Sequence, residues 1–240
     1  MIDPDAIQHL ATKLQTRDIN IAREYIQNLF LSFFYEQKES EHVLFKGGTA
    51  LRVVFQSPRF SEDLDFSTNK FFSLKNIEQL IFKTASNIEL MGIKTDILES
   101  KSTTGGYLGI INFQFLGYNF DIHIEISFRK QKEASGSTVV IRNDFIPSYV
   151  ITILKEDQLV GEKIQATLTR QKPRDFFDIY FLLRGNMISL ENKKYLKEIK
   201  NILLKTKIDF NTELKTFLPI HQHLIIKNFS GTLSREIDKI

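Results

Sequence analysis

The chain contains no cysteine and no tryptophan among its 240 residues. Without thiols it has no disulfide, no thiolate zinc site and no cysteine nucleophile, and this usage fits a reducing, cytoplasmic compartment. No stretch approaches the roughly 18 uninterrupted apolar residues that a membrane span needs. The opening Met1-Ile2-Asp3-Pro4-Asp5 is acidic and lacks the apolar core of a signal peptide. Two nucleotide-handling signatures are also missing: there is no Gly-x-x-x-x-Gly-Lys-Ser/Thr loop and no His-Arg-Asp loop, which argues against a P-loop NTPase or a protein kinase. The five histidines (His9, His42, His123, His221, His223) form no metalloprotease pair, so zinc hydrolysis is disfavoured. A net charge of +3 permits a nucleotide or RNA partner without demanding one. Internal repeats, low-complexity tracts and long linkers are absent.

What is present is the composition of a soluble globular protein, 42% hydrophobic and 25% charged. The length suits one compact domain with a large core or two small ones. Apolar residues recur at helical spacing over 5–38, through Ile7, Leu10, Ala11 and Leu14 and then Ile21, Tyr25, Leu29 and Phe33. Val43-Leu44-Phe45 reads as a short buried strand running into Gly47-Gly48. A helix over 49–55, a strand over 64–66 and a strong helix over 74–90 follow. Strands are expected at 93–98, 107–115 and 119–128, separated by the turn signals Gly105-Gly106 and Gly117-Tyr118-Asn119. In the last of these, Phe120, Ile122, Ile124 and Ile126 share one face, and Asp121, His123, Glu125 and Ser127 the other. Residues 129–140 look the most loop-like. From about 152 the pattern is helical, with helices over 155–171, 174–185, 189–206 and, in pieces, 211–239. The expected class is α+β: a helical arm over 1–40, an α/β core over 41–150 and a helical part over 151–240.

Two short segments carry chemistry. In Phe45-Lys46-Gly47-Gly48-Thr49-Ala50-Leu51-Arg52, a strand turns through two glycines into a helix. Such a bend brings backbone amides and the positive end of the helix dipole close to a phosphate, and Thr49 adds a hydroxyl donor. In Arg59-Phe60-Ser61-Glu62-Asp63-Leu64-Asp65-Phe66, Asp63 and Asp65 stand two apart on an expected strand, so their carboxylates project from one face. Adjacent carboxylates repel unless a cation or proton lies between them. Magnesium takes oxygen ligands and commonly binds one or two carboxylates together with substrate phosphates. Diglycine turns and Asp-x-Asp pairs are each common and mostly structural; their ordered combination is far rarer.

These segments resemble the signature of the polymerase-beta-type nucleotidyltransferases, a Gly-Gly or Gly-Ser turn, a helix, then Asp-x-Asp/Glu on a strand. Thirteen residues, Ala50 to Glu62, separate Thr49 from Asp63. The match is closer to the AbiEii/AbiGii toxin family, because a second block agrees in order: Glu162-Lys163-Ile164-Gln165-Ala166, then Arg170, then Arg174-Asp175-Phe176-Phe177-Asp178-Ile179-Tyr180. The resemblance implies a polymerase-beta-like core, a small mixed sheet with flanking helices, completed by the helical part. It also implies a toxin that moves a nucleoside monophosphate from an NTP to an acceptor hydroxyl, RNA such as the acceptor end of tRNA, with two magnesium ions and a separately encoded antitoxin as partner. Protein modification of the AMPylation type and a non-catalytic nucleotide-binding protein on the same fold are the competing readings.

Further residues follow from the resemblance. A third carboxylate on a neighbouring strand is Glu125 or Asp121, with His123 between them. Asp63, Asp65 and Glu125 would hold metal. Lys46, Gly47, Gly48, Thr49, Arg52, Lys163 and Arg170 would meet the nucleotide. Lys163 and Arg170 are seven apart on one helix and return to nearly the same face, opposite an apolar face of Val160, Ile164 and Leu168. Asp175 and Asp178 share a face of the next helix, where one of them would orient Lys163 or contact substrate. The alternatives are a dipole role for Asp175 and a simple Arg174–Asp178 pair.

Overall fold

The computed structural model describes residues 1–129 and 133–240. Of the loop-like stretch expected at 129–140, residues 130–132 lie outside the described residues. The elements run α1 (Pro4–Leu14), α2 (Asp18–Tyr35), β1 (Val43–Lys46), α3 (Gly47–Val53), β2 (Leu64–Thr68), α4 (Leu74–Leu90), β3 (Lys94–Thr103), β4 (Gly106–Phe115), β5 (Tyr118–Ser127), β6 (Gly136–Ile141), β7 (Tyr149–Leu154), α5 (Glu156–Thr169), α6 (Pro173–Arg184), α7 (Leu190–Lys193), α8 (Leu196–Lys205), α9 (Phe210–Phe217), α10 (His223–Ile226) and α11 (Phe229–Ile237). The class is α+β, as the hydrophobic patterning indicates. By contacts the chain divides into two units. One holds residues 1–56 and 60–155, the other residues 156–240 together with the short segment Ser57–Arg59.

The first unit is built on a seven-stranded mixed sheet of order β3-β4-β5-β2-β1-β7-β6. Its centre positions the candidate site. β2 runs antiparallel to β1 and parallel to β5, so it is hydrogen-bonded along both edges. Leu64 and Phe66 of β2 are buried, and Phe66 meets Phe34 and Phe45 at ring-centroid distances of 5.5 and 5.4 Å. This cluster of aromatic area anchors the strand, since each buried ring removes a large apolar surface from water. β5 keeps the alternation read from the sequence, with Phe120, Ile122, Ile124 and Ile126 inside.

α2 is buried almost all round, which marks a central helix. It encloses polar side chains as well as apolar ones: Glu24, Gln27 and Asn28 are buried, and each bonds across to another element.

Two strands depart from the sequence reading. β6 occupies much of the stretch expected to be loop, and β7 lies where the helical half was expected to begin. The two pair antiparallel with each other, and β7 pairs parallel with β1 at Phe45↔Ile153. Their stability comes from partners distant in sequence, which local periodicity does not register. The single helix expected over 189–206 is two, α7 and α8, joined through Lys194 and Tyr195.

The second unit is helical, apart from Ser57–Arg59. Its interior carries a further aromatic cluster, in which Phe210 and Phe229 approach to 4.7 Å, Phe177 and Phe229 to 6.0 Å, and Phe176 and Phe210 to 6.1 Å between ring centroids. The two buried clusters thus hold Phe34, Phe45 and Phe66 in one unit and Phe176, Phe177, Phe210 and Phe229 in the other. Among the described residues no helix is long and apolar enough to cross a membrane.

Candidate active site

The diglycine bend sits where β1 becomes α3. Gly47 has φ +84°, a conformation that side chains disfavour. It is also where a carboxylate rests: a Cβ built on Gly47 would lie 2.0 Å from Asp65 Oδ2. Bend and acid therefore form one place, and only glycine lets them approach. Gly48 beside it is buried.

Gly47→Ala is expected to lower the nucleotide transfer that the resemblance implies about a hundred-fold, through displacement of the Asp65 carboxylate rather than loss of the fold. Activity assay alongside circular dichroism checks this.

Asp65 also stands opposite Glu125 in the parallel register of β2 and β5. Neighbouring strands are about 4.8 Å apart and side chains on one face stand side by side, so these two acids are adjacent. Asp121 lies further along β5 and accepts a hydrogen bond from Asn112 Nδ2 at 2.7 Å. Of the two candidates for a third carboxylate, the register thus puts Glu125, and not Asp121, beside Asp65. Asp63 immediately precedes β2 rather than lying on it. His123 Nδ1 is 3.9 Å from Asp63 Oδ1, in the same row of side chains.

Among the described residues the carboxylates of Asp65 and Glu125 have no hydrogen-bond or ion-pair partner, and no three His, Asp or Glu side chains group into a ready-made metal shell. Two adjacent, unpartnered acids fit a hard cation that completes its sphere with substrate oxygens.

A cleft of about 300 Å³ opens at this point. Lys46, Asp65 and Glu125 line it together with Thr103, the Gly105-Gly106 turn, Ser127 and Arg129. Arg129 lies flat against the turn: a Cβ on Gly105 would fall 2.4 Å from its Nε. The sequence marked Gly105-Gly106 only as a turn and gave no signal for Arg129, whose place depends on the β3–β4 hairpin folding over the end of β5.

Two expected nucleotide contacts are differently employed. The Thr49 hydroxyl donates to the Asp63 carbonyl oxygen, so it braces the acidic segment instead of offering itself to a phosphate. Arg52 forms a fork with Glu24 of α2, at 2.9 and 3.1 Å, and its guanidinium lies 4.0 Å over the Phe60 ring. A planar cation held by a carboxylate and an aromatic face is already satisfied.

In the second unit, Lys163 lies on the buried side of α5. The buried face of α5 is Leu159, Val160, Lys163, Ile164 and Thr167, displaced by about a residue from the expected one. Lys163 Nζ donates to Asp178 Oδ2 at 2.7 Å. Asp178 also receives Arg59 Nε at 2.8 Å and Arg59 Nη2 at 3.0 Å. Arg59, which the sequence reading quoted without a role, is thereby the third member of a buried triad.

Burial alone would raise the Asp178 pKa, but the charges and hydrogen bonds of Arg59 and Lys163 outweigh it and hold the carboxyl below its ordinary value. Asp175 has another task. It accepts Arg170 Nη2 at 2.7 Å and the backbone amide of Lys172 at 3.2 Å, closing the start of α6. Arg174 pairs with Glu213 rather than Asp178. Of the two aspartates, Asp178 is the one that holds Lys163.

Residues 29–238 match the model of the nucleotidyl transferase AbiEii toxin family of type IV toxin–antitoxin systems. The chain belongs to that family. The AbiEii chain is accordingly a nucleotidyltransferase, an enzyme of nucleoside monophosphate transfer, and the toxin component of its system.

Solved structures share its fold. MenT4, the nucleotidyltransferase toxin Rv2826c from Mycobacterium tuberculosis H37Rv, is 11% identical, with a TM-score of 0.65 over 99% of this chain and 89% of that one. JHP933 from Helicobacter pylori is 19% identical, with a TM-score of 0.61 over 93% of this chain and 95% of that one. No curated protein matches.

Proposed function

We propose that this AbiEii toxin transfers a nucleoside monophosphate from an NTP to a hydroxyl of RNA, with the acceptor end of tRNA as the first substrate to test. The observation that carries the proposal is the Asp65 carboxylate lying against Gly47 with Glu125 beside it in register. Asp63, Asp65 and Glu125 are the residues that would hold magnesium, which when bound would neutralise triphosphate charge and, as a pair of ions, favour the attacking hydroxylate and the leaving group.

The acceptor oxygen attacks the α-phosphorus in line. The new O–P bond forms, the bond to the β-phosphate oxygen breaks, and pyrophosphate departs. Amides at the Gly47-Gly48 bend and the Lys46 cation face the developing negative charge, and Arg129 meets the triphosphate in ground and transition state alike. Glu125 is the carboxylate assigned to receive or steer the hydroxyl proton. Asp178 is the group that fixes the Lys163 ammonium, while Arg52 and Thr49 are assigned to the framework.

Purified protein, magnesium, labelled NTPs and total tRNA should yield labelled RNA. Label on the protein itself would replace this reading with AMPylation-type chemistry, and nucleotide binding without any product would point to a binding protein. The antitoxin would be a separate gene product.

Arg129 is exposed, so its replacement should leave the fold untouched. Arg129→Ala is expected to raise the KM for NTP about ten-fold, the worth of one charge-assisted hydrogen bond, with kcat little changed. An unaltered KM would remove Arg129 from the nucleotide site.

A further inference from the structure

Among the described residues the segment that carries Asp63 has no strand partner of its own, because β2 begins only at Leu64. It is nevertheless held at every step. The Gln27 side chain of α2 donates through Nε2 to the carbonyl oxygens of Ser61 and Glu62, both at 3.0 Å. The next carbonyl, that of Asp63, receives the Thr49 hydroxyl from α3. Arg23, one turn before Gln27 on α2, lies with Nη1 3.2 Å from Glu62 Oε1. Three successive carbonyls are therefore each met by a side-chain donor from a helix.

Gln27 is only 1% exposed. Two carbonyl acceptors fix which end of its amide is nitrogen, and both of its N–H hydrogens are then spent on this one segment. A buried amide that only needed satisfying could use any acceptors within reach; this one uses consecutive carbonyls directly before an acidic residue of the site.

We infer that Gln27 is a positioning residue: it fixes the backbone ahead of Asp63 so that this carboxylate stands ready for the cation alongside Asp65. The inference rests on the assignment of Asp63 to the metal. It gives α2 a part in the reaction without touching substrate. The hydrogen-bonding shell behind a metal ligand sets the ligand's orientation, and its loss weakens metal binding even when every ligand remains.

The test is Mn²⁺ binding, followed by electron paramagnetic resonance with a non-hydrolysable NTP analogue, so that no turnover is needed. Gln27→Leu removes both donors at similar volume, and Gln27→Met does so at matched length should leucine not be accommodated. Each is expected to raise the Mn²⁺ dissociation constant about ten-fold. The magnesium needed for half-maximal labelling should rise in step, with most of kcat restored at saturating metal.

Asn28 supplies the control. It is equally buried on the same helix but bonds to Asn143 and Tyr149, at 2.9 and 2.8 Å. Asn28→Ala should lower Tm and leave the metal titration unchanged. Wild-type Mn²⁺ affinity in both Gln27 variants, with Tm reduced as in Asn28→Ala, would overturn the positioning role. Asp63→Ala in the same titration separates the failures: if Asp63→Ala loses metal while the Gln27 variants do not, only the inference falls; if Asp63→Ala binds as wild type, the assignment beneath it falls.

Discussion

Asp65→Ala is expected to reduce nucleotide transfer at least about a thousand-fold while leaving Tm unchanged or slightly raised. The two halves of this result have one cause. Asp65 is on a strand hydrogen-bonded along both edges, between β1 and β5, and its neighbours Leu64 and Phe66 supply the burial that holds the strand. Its carboxylate has no protein partner among the described residues, so truncation leaves nothing orphaned. It also relieves repulsion from Glu125, since two adjacent carboxylates without a cation destabilise each other. The protein thus tolerates an electrostatic cost at this point for the sake of a charge that it does not itself need, and such trade-offs of stability against activity are typical of active sites. Labelling assays and thermal melts on the same preparation check both halves. Retained transfer would end the carboxylate mechanism, and a Tm lowered by many degrees would mean that Asp65 is a structural residue.

The local parts of this site were legible in the sequence because each rests on chain-neighbour geometry. The glycine pair, the two aspartates and the alternation of β5 need only the period of a strand and the chirality of a turn. Even the choice between Glu125 and Asp121 was narrowed to a single face, and what remained was register, which only strand pairing decides.

The illegible parts depend on partners far along the chain. Arg52 looks like a free cation until Glu24, on another helix, claims it. Gln27 gives no signal, because one polar residue in an apolar helix becomes meaningful only when the acidic segment folds over it. Tyr149-Val-Ile-Thr-Ile-Leu is rich in β-branched residues, yet it straddles the point near 152 where the helical pattern is expected to begin; pairing with β1 and β6 makes it a strand. Lys163 is expected beside Arg170 on a basic stripe of α5, away from the apolar face. Asp178 and Arg59 reverse that, because a buried charge is tolerated once it is paired and hydrogen-bonded.

That triad yields the largest expected effect on stability. Asp178→Asn should destabilise the second unit by about 3–5 kcal/mol, the range for breaking a buried ion pair from one side. The cost is less the lost attraction than what remains: Arg59 and Lys163, 3% and 8% exposed, keep their charges and lose the counter-ion that they share. Replacing all three by apolar residues of similar volume should restore much of the loss, which distinguishes orphaned charge from lost packing.

The pH dependence has a definite sign. The folded Asp178 carboxyl titrates below its ordinary value of 3.8, so its contribution is complete above that value and is lost as pH falls through the lower, folded one. Wild type should therefore lose protection in acid where Asp178→Asn shows no corresponding step. Hydrogen exchange of amides in α5 and α6 is the suitable measurement, since a chain of two contact units need not unfold in one transition. Equal protection in wild type and Asp178→Asn at neutral pH would show that the Arg59–Asp178–Lys163 bonds contribute nothing to holding α5 and α6 together.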